Sequence, residues 1–370
     1  MTAALFRPQA LFWPRTLFWP RALARAGIAR DHGRLPDGTL PAVIIPEADL
    51  AMTRLRCAIL DDYMNLTLGI ADWSKIGDRV DVKVFNQPFA STEAAATALA
   101  DFEIICAMRE RTPFPRALFA ALPKLKLLIT SGMRNAAIDM EAAKDHQVAV
   151  CGTQWARDPT APLTMGLILE LTRNIGRESA RMHAGEPLQK FVGIEIEGKT
   201  LGVVGLGKLG AKVSGLAKAF GMNVIAWSPN LTAERCKEVG VTYATKEELF
   251  STADIVTVHV VLSQRSRGLV GAADLARMKP TSYLVNTARG PIVDEAALLE
   301  TLQARRIAGA AVDVFSVEPL AVGHPFRKLD NLVLTPHLGY VTEESFRNHY
   351  GQMVEGIDAW FKGETLRRLA

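Results

Sequence analysis

The sequence predicts an α/β protein made of two successive, doubly wound parallel sheets with a cleft between them. Three observations carry that expectation. From residue 56 onward, short apolar runs alternate with helix-forming stretches, the pattern of strand–helix–strand units around a parallel sheet. The alternation runs as two series, the second opening at Thr200 after a long helical stretch. At the head of that second series, Gly205-Leu206-Gly207-Lys208-Leu209-Gly210 stands between a strand and a helix.

In chain order, the first series predicts strands at 56–61, 80–85, 102–107, 125–130 and 148–151. Helical segments lie between them at 91–100, 115–122 and 140–146. Residues 160–184 read as one long helix, with Pro162 near the first turn, where proline is tolerated. The second series predicts strands at 200–205, 223–227, 241–244, 255–261, 281–286, 309–314 and 332–335. The segment 342–362 carries Phe346, Tyr350, Met353, Ile357 and Trp360 at helical spacing and is expected to close the chain as a helix.

A chain of 370 residues with 49% hydrophobic content can fill two sizeable cores. Its formal charge of +4 is small for this length, and no dense basic stripe suggests a nucleic-acid or membrane surface. The apolar runs are too short and too regularly interrupted to span a bilayer. Cys57, Cys106, Cys151 and Cys236 are scattered, which fits reduced buried thiols in a cytoplasmic protein better than a disulfide framework. No His/Cys/Asp cluster has metal-ligand spacing, so no metal is expected. The first fifty residues differ from the rest. They repeat Leu-Phe-Trp-Pro-Arg, with no acidic residue before Asp31, and prolines at 8, 14 and 20 spoil an amphipathic helix. The folded protein is therefore expected to begin near Met52, with 1–51 a disordered or non-native extension.

Gly205, Gly207 and Gly210 follow a strand and open a helix, which is the context a dinucleotide cradle requires. The first glycine permits a tight turn, the second admits a pyrophosphate, and the third lets helix and strand pack closely. Phosphates would then sit on the helix N-terminus, at the N–H groups of Lys208 and Leu209. An acidic residue that binds ribose hydroxyls belongs after the next strand, but this chain has Ser228-Pro229-Asn230. No carboxylate there repels a 2′-phosphate, and no arginine at 229 or 230 holds one. The expected cofactor is NAD, with NADP accepted to some degree.

Downstream, three apolar strands give way in turn to Arg289, Glu318 and His337. Reducing a 2-keto acid requires, besides hydride, an anchor for the carboxylate, a charge to stabilise the developing alkoxide, and a proton. Arginine's planar, permanently charged fork suits the first two tasks, and the imidazole suits the third. Glu318 beside His337 would favour the imidazolium and fix the ring. Singly, each residue is an ordinary loop residue; together, in this order and at the carboxyl ends of strands in one sheet, they favour an active site.

With these motifs the chain resembles the D-isomer-specific 2-hydroxyacid dehydrogenase family over residues 52–370. The resemblance implies a flavodoxin-like substrate domain of 52–155 plus 340–370, and an NAD(P)-binding Rossmann domain of 156–339. It implies further cofactor contacts at Ser228, Val261 (where the family usually has proline), Thr287, Asp313 and Gly339, with Asp313 at the nicotinamide carboxamide. It places Gly132 and Met133 in the loop whose N–H groups receive the substrate carboxylate together with Arg289. Met133-Arg134-Asn135 departs from the commoner small-residue form. Arg109 and Arg111 fit either the cleft or the solvated surface, while His146, His259 and His349 read as structural. A homodimer is expected.

Glyoxylate and hydroxypyruvate are plausible substrates. Glu318 argues against the formate dehydrogenases of the family, which carry glutamine there. A 3-phosphoglycerate dehydrogenase is an alternative, although no appended regulatory domain is expected. Another is a dinucleotide-sensing binding protein of the same fold, like the corepressors.

Overall fold

The computed structural model describes residues 54–370; the expected extension at 1–51 lies outside the described residues. The first lobe contains β1 (Leu55–Ile59), α1 (Thr67–Ile70), β2 (Val80–Val84), α2 (Thr92–Leu99), β3 (Ile104–Ala107), α3 (Arg116–Ala121), β4 (Leu127–Thr130), α4 (Met140–Asp145) and β5 (Ala149–Gly152). Its five strands are all parallel, in the order β2-β1-β3-β4-β5. This is the flavodoxin-like order, with its switch point between β1 and β3.

Two helices follow, α5 (Thr160–Arg173) and α6 (Ile175–His183). The second lobe then runs through β6 (Thr200–Val204), α7 (Lys208–Ala219), β7 (Asn223–Trp227), α8 (Ala233–Val239), β8 (Thr242–Tyr243), α9 (Lys246–Thr252), β9 (Ile255–Val258), α10 (Ala272–Leu275), β10 (Tyr283–Asn286), α11 (Glu295–Gln303), β11 (Gly309–Val312) and β12 (Leu332–Leu334), before α12 (Glu343–Phe361). Its seven parallel strands lie in the order β12-β11-β10-β9-β6-β7-β8, with the switch point between β6 and β9. All twelve expected strands form, with ends shifted by a few residues at most.

The stretch 160–184 is not one helix. Asn174 adopts left-handed geometry (φ 51°, ψ 38°) and divides it. Asparagine tolerates that conformation better than most residues. The Asn174 N–H caps the Glu170 carbonyl, while the Glu170 carboxylate accepts from Gly176 N–H at 2.8 Å. The apolar face also stops here: α5 buries seven residues and α6 none.

Both sheets are covered on both faces, as parallel sheets require. In the second lobe, α5 and α7 bury Ile168, Val213 and Ala217 against Leu201, Val203 and Ile255, while Leu249, Leu298 and Leu302 fill the opposite face. In the first lobe, Leu99, Leu118, Phe119 and Ala142 cover one face. The other is covered by α12, whose Phe346, Tyr350, Met353 and Ile357 pack on Ile59, Cys106 and Ile129. The chain thus returns to its first sheet at the end. Residues 367–370 then run antiparallel to β5 and cover its edge, with Leu369 N–H donating to Val150 at 2.7 Å. All four cysteines are buried and unpaired. Among the described residues, no helix is long and apolar enough to cross a membrane, and no group of three or more His, Cys, Asp or Glu could hold a metal.

Candidate active site

Every candidate catalytic side chain singled out above lies beyond the carboxyl end of a strand, where parallel sheets place their ligands. The cradle follows β6. Gly205 has φ +105°, and a Cβ there would come within 2.9 Å of His259 and Val260. A Cβ on Gly210 would lie 2.0 Å from the Gly205 carbonyl, so only glycine lets α7 approach β6 this closely. Gly207 differs: a Cβ there would meet nothing within 4 Å, so the protein itself leaves open the space above the helix start. No side chain caps the first N–H groups of α7. An open space above uncapped N–H groups at a positive helix end fits a bound pyrophosphate.

Lys208 is largely exposed and reaches Asp158 at 3.2 Å, and Leu209 is half-buried. Ser228 is half-buried directly after β7, with no carboxylate beside it in sequence. Arg235 lies on α8 and is paired with Glu238 at 2.8 Å. Val261 is exposed beyond the end of β9, and the buried Thr287 hydroxyl meets the Thr164 hydroxyl at 3.0 Å.

Arg289 follows β10. Its Nη1 donates to the Ala288 carbonyl at 2.8 Å, and its Nη2 lies 3.5 Å from the Glu110 carboxylate of the first lobe. Glu318 follows β11. One of its oxygens accepts from Phe315 N–H at 3.0 Å, and the other lies 2.6 Å from His337 Nδ1. Burial opposes ionisation of Glu318. The hydrogen bond and charge of His337, the Phe315 N–H and the Arg111 charge outweigh it and hold the carboxyl below its ordinary range.

His337 has left-handed backbone geometry (φ 56°), imposed by the loop around it. That loop is gripped by Asp313, which is fully buried. Its carboxylate accepts from Thr335 Oγ1 at 2.6 Å, Leu338 N–H at 2.7 Å and Gly339 N–H at 2.8 Å. Burial nevertheless raises its pKa. Any hold on a nicotinamide carboxamide would be additional to these three bonds. Gly339 also ties the loop to α5, its carbonyl accepting from Thr160 Oγ1 at 2.8 Å.

The opposite wall comes from the loops after β1, β3, β4 and β5. Arg109 and Arg111 both belong to it. The Arg109 guanidinium lies 5.5 Å from the Trp155 ring, and Arg111 Nε donates to the Tyr340 hydroxyl at 2.9 Å between the rings of Tyr63 and Tyr340. Tyr340 in turn meets His337 edge-on at 5.6 Å. Glu110 lies 3.5 Å from both Arg109 and Arg289 and so links the two walls. Asp61 accepts from Tyr63 Oη and Thr112 Oγ1, each at 2.8 Å. Asp61 and Arg109, at φ 61° and 54°, flank the switch point of the first sheet in the same unfavourable conformation as His337.

Sequence reasoning missed Glu110, Asp61, Trp155 and Tyr340. The position of Arg109-Glu110-Arg111 directly after β3 was the signal available for the first. One expectation needs correcting. The Gly132 N–H is not available to a substrate, because it donates to Thr153 Oγ1 at 2.9 Å. Among the described residues the N–H groups of Met133 and Arg134 have no protein partner. His146 is exposed at the end of α4, whereas His259 and His349 are buried.

Two doubly wound sheets, with a dinucleotide cradle on one and an Arg, Glu and His set between them, define a nicotinamide-dependent oxidoreductase architecture. Residues 165–339 match the family described as D-isomer specific 2-hydroxyacid dehydrogenase, NAD binding domain. A D-3-phosphoglycerate dehydrogenase of Methanocaldococcus jannaschii is 38% identical over 263 residues, covering 70% of this chain and 50% of that protein. A glyoxylate reductase of Thermococcus litoralis is 35% identical over 259 residues, covering 67% of this chain and 78% of that protein. A crystal structure of a phosphoglycerate oxidoreductase from Vibrio cholerae superposes with a TM-score of 0.80 at 33% identity, covering 84% of this chain and all of the other. The chain belongs to the D-isomer specific 2-hydroxyacid dehydrogenase family, a family of NAD-dependent oxidoreductases. It spans about half the length of the phosphoglycerate dehydrogenases it matches. The residues matched include the cradle and are those of the family's NAD binding domain.

Proposed function

We propose that the protein reduces a small 2-keto acid to the D-2-hydroxy acid with NADH, accepting NADPH to some degree. The observation that carries this reading is the 2.6 Å contact between Glu318 and His337 Nδ1, which leaves Nε2 free to hand a proton to the substrate oxygen. The bound nicotinamide supplies the hydride. Arg289 anchors the carboxylate and stabilises the charge on the carbonyl oxygen, aided by the N–H groups of Met133 and Arg134. In the reverse direction His337 takes the proton and Glu318 stabilises the resulting imidazolium. The cofactor would rest on Gly205, Gly207, Lys208, Leu209 and Gly210, with Ser228, Val261, Thr287, Asp313 and Gly339 along its length.

The substrate domain comprises 52–155 plus 340–370 and the nucleotide domain 156–339, a division supported by the packing of α12 on the first sheet. Exposed Ile175 and Met182 on α6 support a homodimer built on the nucleotide domains. Four unpaired cysteines suit the cytoplasm. Glyoxylate and hydroxypyruvate are the first candidate substrates. Arg111 favours a second reading, 3-phosphoglycerate chemistry, because it pairs with a tyrosine hydroxyl and not with a carboxylate and so can meet a second acidic group. Assays of glyoxylate, hydroxypyruvate and phosphohydroxypyruvate with NADH and NADPH test both readings. Absence of turnover with every 2-keto acid would overturn the reductase.

A further inference from the structure

Behind the loop that faces Arg289 lies a buried polar chain that the reaction described above does not use. Gly132 N–H donates to Thr153 Oγ1 at 2.9 Å, and Thr153 Oγ1 lies 2.6 Å from His349 Nδ1. Thr153 and His349 are both fully buried. Among the described residues, His349 Nδ1 is the one acceptor paired with the Thr153 hydroxyl, and assigning the hydroxyl proton to that nitrogen leaves one group of the pair unpartnered, where the reverse assignment leaves two. The imidazole must therefore be neutral, and burial with the nearby Arg109 charge keeps it so by pushing His349 down to about 4. Its tautomer is then Nε2–H, and Nε2 has no partner.

Leaving a buried donor unpaired is unfavourable, and an apolar residue at 349 would avoid it. The imidazole instead stands edge-on to Trp155 at 4.3 Å, and Trp155 carries the Arg109 guanidinium on its ring. The Gly132 carbonyl is held as well, accepting from Thr153 N–H at 3.3 Å. The peptide units before and after Gly132 are thus both held by Thr153, while the next two N–H groups are left without protein partners.

We infer that Thr153 and His349 are positioning residues: they lock the Gly132 peptide so that the N–H groups of Met133 and Arg134 are presented to the substrate carboxylate. His349 reaches this loop from the closing helix α12, so the carboxylate cradle is completed by the last element of the chain. The inference rests on the 2-keto acid reductase reading.

Thr153→Val removes the acceptor and the donor while keeping the shape. Thr153→Ser keeps both. His349→Leu removes the acceptor nitrogen, and His349→Asn supplies an oxygen in its place. In NADH-linked assays with glyoxylate or hydroxypyruvate, whichever the wild type turns over, Thr153→Val and His349→Leu should raise the keto acid KM on the order of tenfold. The KM for NADH should stay near wild type, and Thr153→Ser and His349→Asn should restore most of the loss. Where Thr153→Val does not fold, His349→Leu and its Asn rescue carry the test alone. An unchanged keto acid KM would overturn the inference, as would a parallel loss in NADH KM and melting temperature without rescue. A wild type that turns over no keto acid would instead overturn the reductase reading.

Discussion

His259 and His349 are held neutral inside the protein, and their protonation should make it labile at mildly acidic pH. Burial pushes His259 down to about 3, and burial with the Arg109 charge pushes His349 down to about 4. Unfolded histidine titrates near pH 6.5. The folded value is the lower one, so the unfolded chain binds more protons below that pH. The stability these groups allow is therefore complete above about 6.5 and is lost as pH falls towards their folded values. Between about pH 7.5 and about pH 5, each histidine should cost about 2 kcal/mol, together about 4 kcal/mol. Asp61 and Asp313, both raised by burial, act with the opposite sign, because their protonation favours the folded state. That contribution is common to wild type and variants and cancels in the comparison. Urea unfolding at the two pH values, for wild type, His259→Gln and His349→Asn, reads the effect. Each variant should narrow the pH gap by about 2 kcal/mol, whatever its absolute stability. A gap as wide in the variants as in wild type would refute the reasoning.

Three further outcomes follow from the site. His337→Ala should slow reduction by roughly 10²–10⁴-fold with NADH affinity nearly unchanged, measured by steady-state kinetics and cofactor fluorescence. Glu318→Gln keeps the shape but removes a negative charge 2.6 Å from the imidazole, so the alkaline fall in reductive rate should move to lower pH. The wild-type Glu318 carboxyl, held below its ordinary range, should stay ionised above about pH 4.3; its stabilising contribution is present above that unfolded value and lost as pH falls through the folded one. Ser228→Asp should raise the ratio of NADH to NADPH efficiency, because a carboxylate there binds ribose hydroxyls and repels a 2′-phosphate. An unchanged ratio in kcat/KM measurements would show that residue 228 does not border the ribose.

Most strands were legible because they are buried apolar runs bounded by turn residues, β2 and the exposed two-residue β8 being the exceptions, and Gly205, Arg289, Glu318 and His337 were legible because each follows an apolar run. What stayed hidden depended on contacts distant in sequence. The place of Glu110 directly after β3 points to the cleft, but only the folded chain shows its carboxylate meeting Arg289 across it. The break at Asn174 was masked because a single residue in left-handed geometry leaves the helical periodicity on either side intact. His349 read as structural because its hydrogen bond is to Thr153, 196 residues away in sequence with the whole second lobe between them. Gly132 looked available because only the folded β5 loop brings the Thr153 hydroxyl to its N–H.

The return of α12 to the first sheet has a consequence for how the chain is made. On a ribosome the five strands of the first lobe emerge early, yet the helix that shields Ile59, Ile104, Cys106 and Ile129 emerges only after the whole second lobe. Until then that face of the early sheet has only Ile70, Trp73 and Ile76 of its own lobe against it, and the rest is an apolar surface, the kind of exposure that invites association between nascent chains. The second lobe has no such debt, since its covering helices are interleaved with its strands. The first lobe is thus the part of the molecule that needs shelter during synthesis, and a ribosome stalled before Glu343 would release a chain whose second sheet can close and whose first cannot.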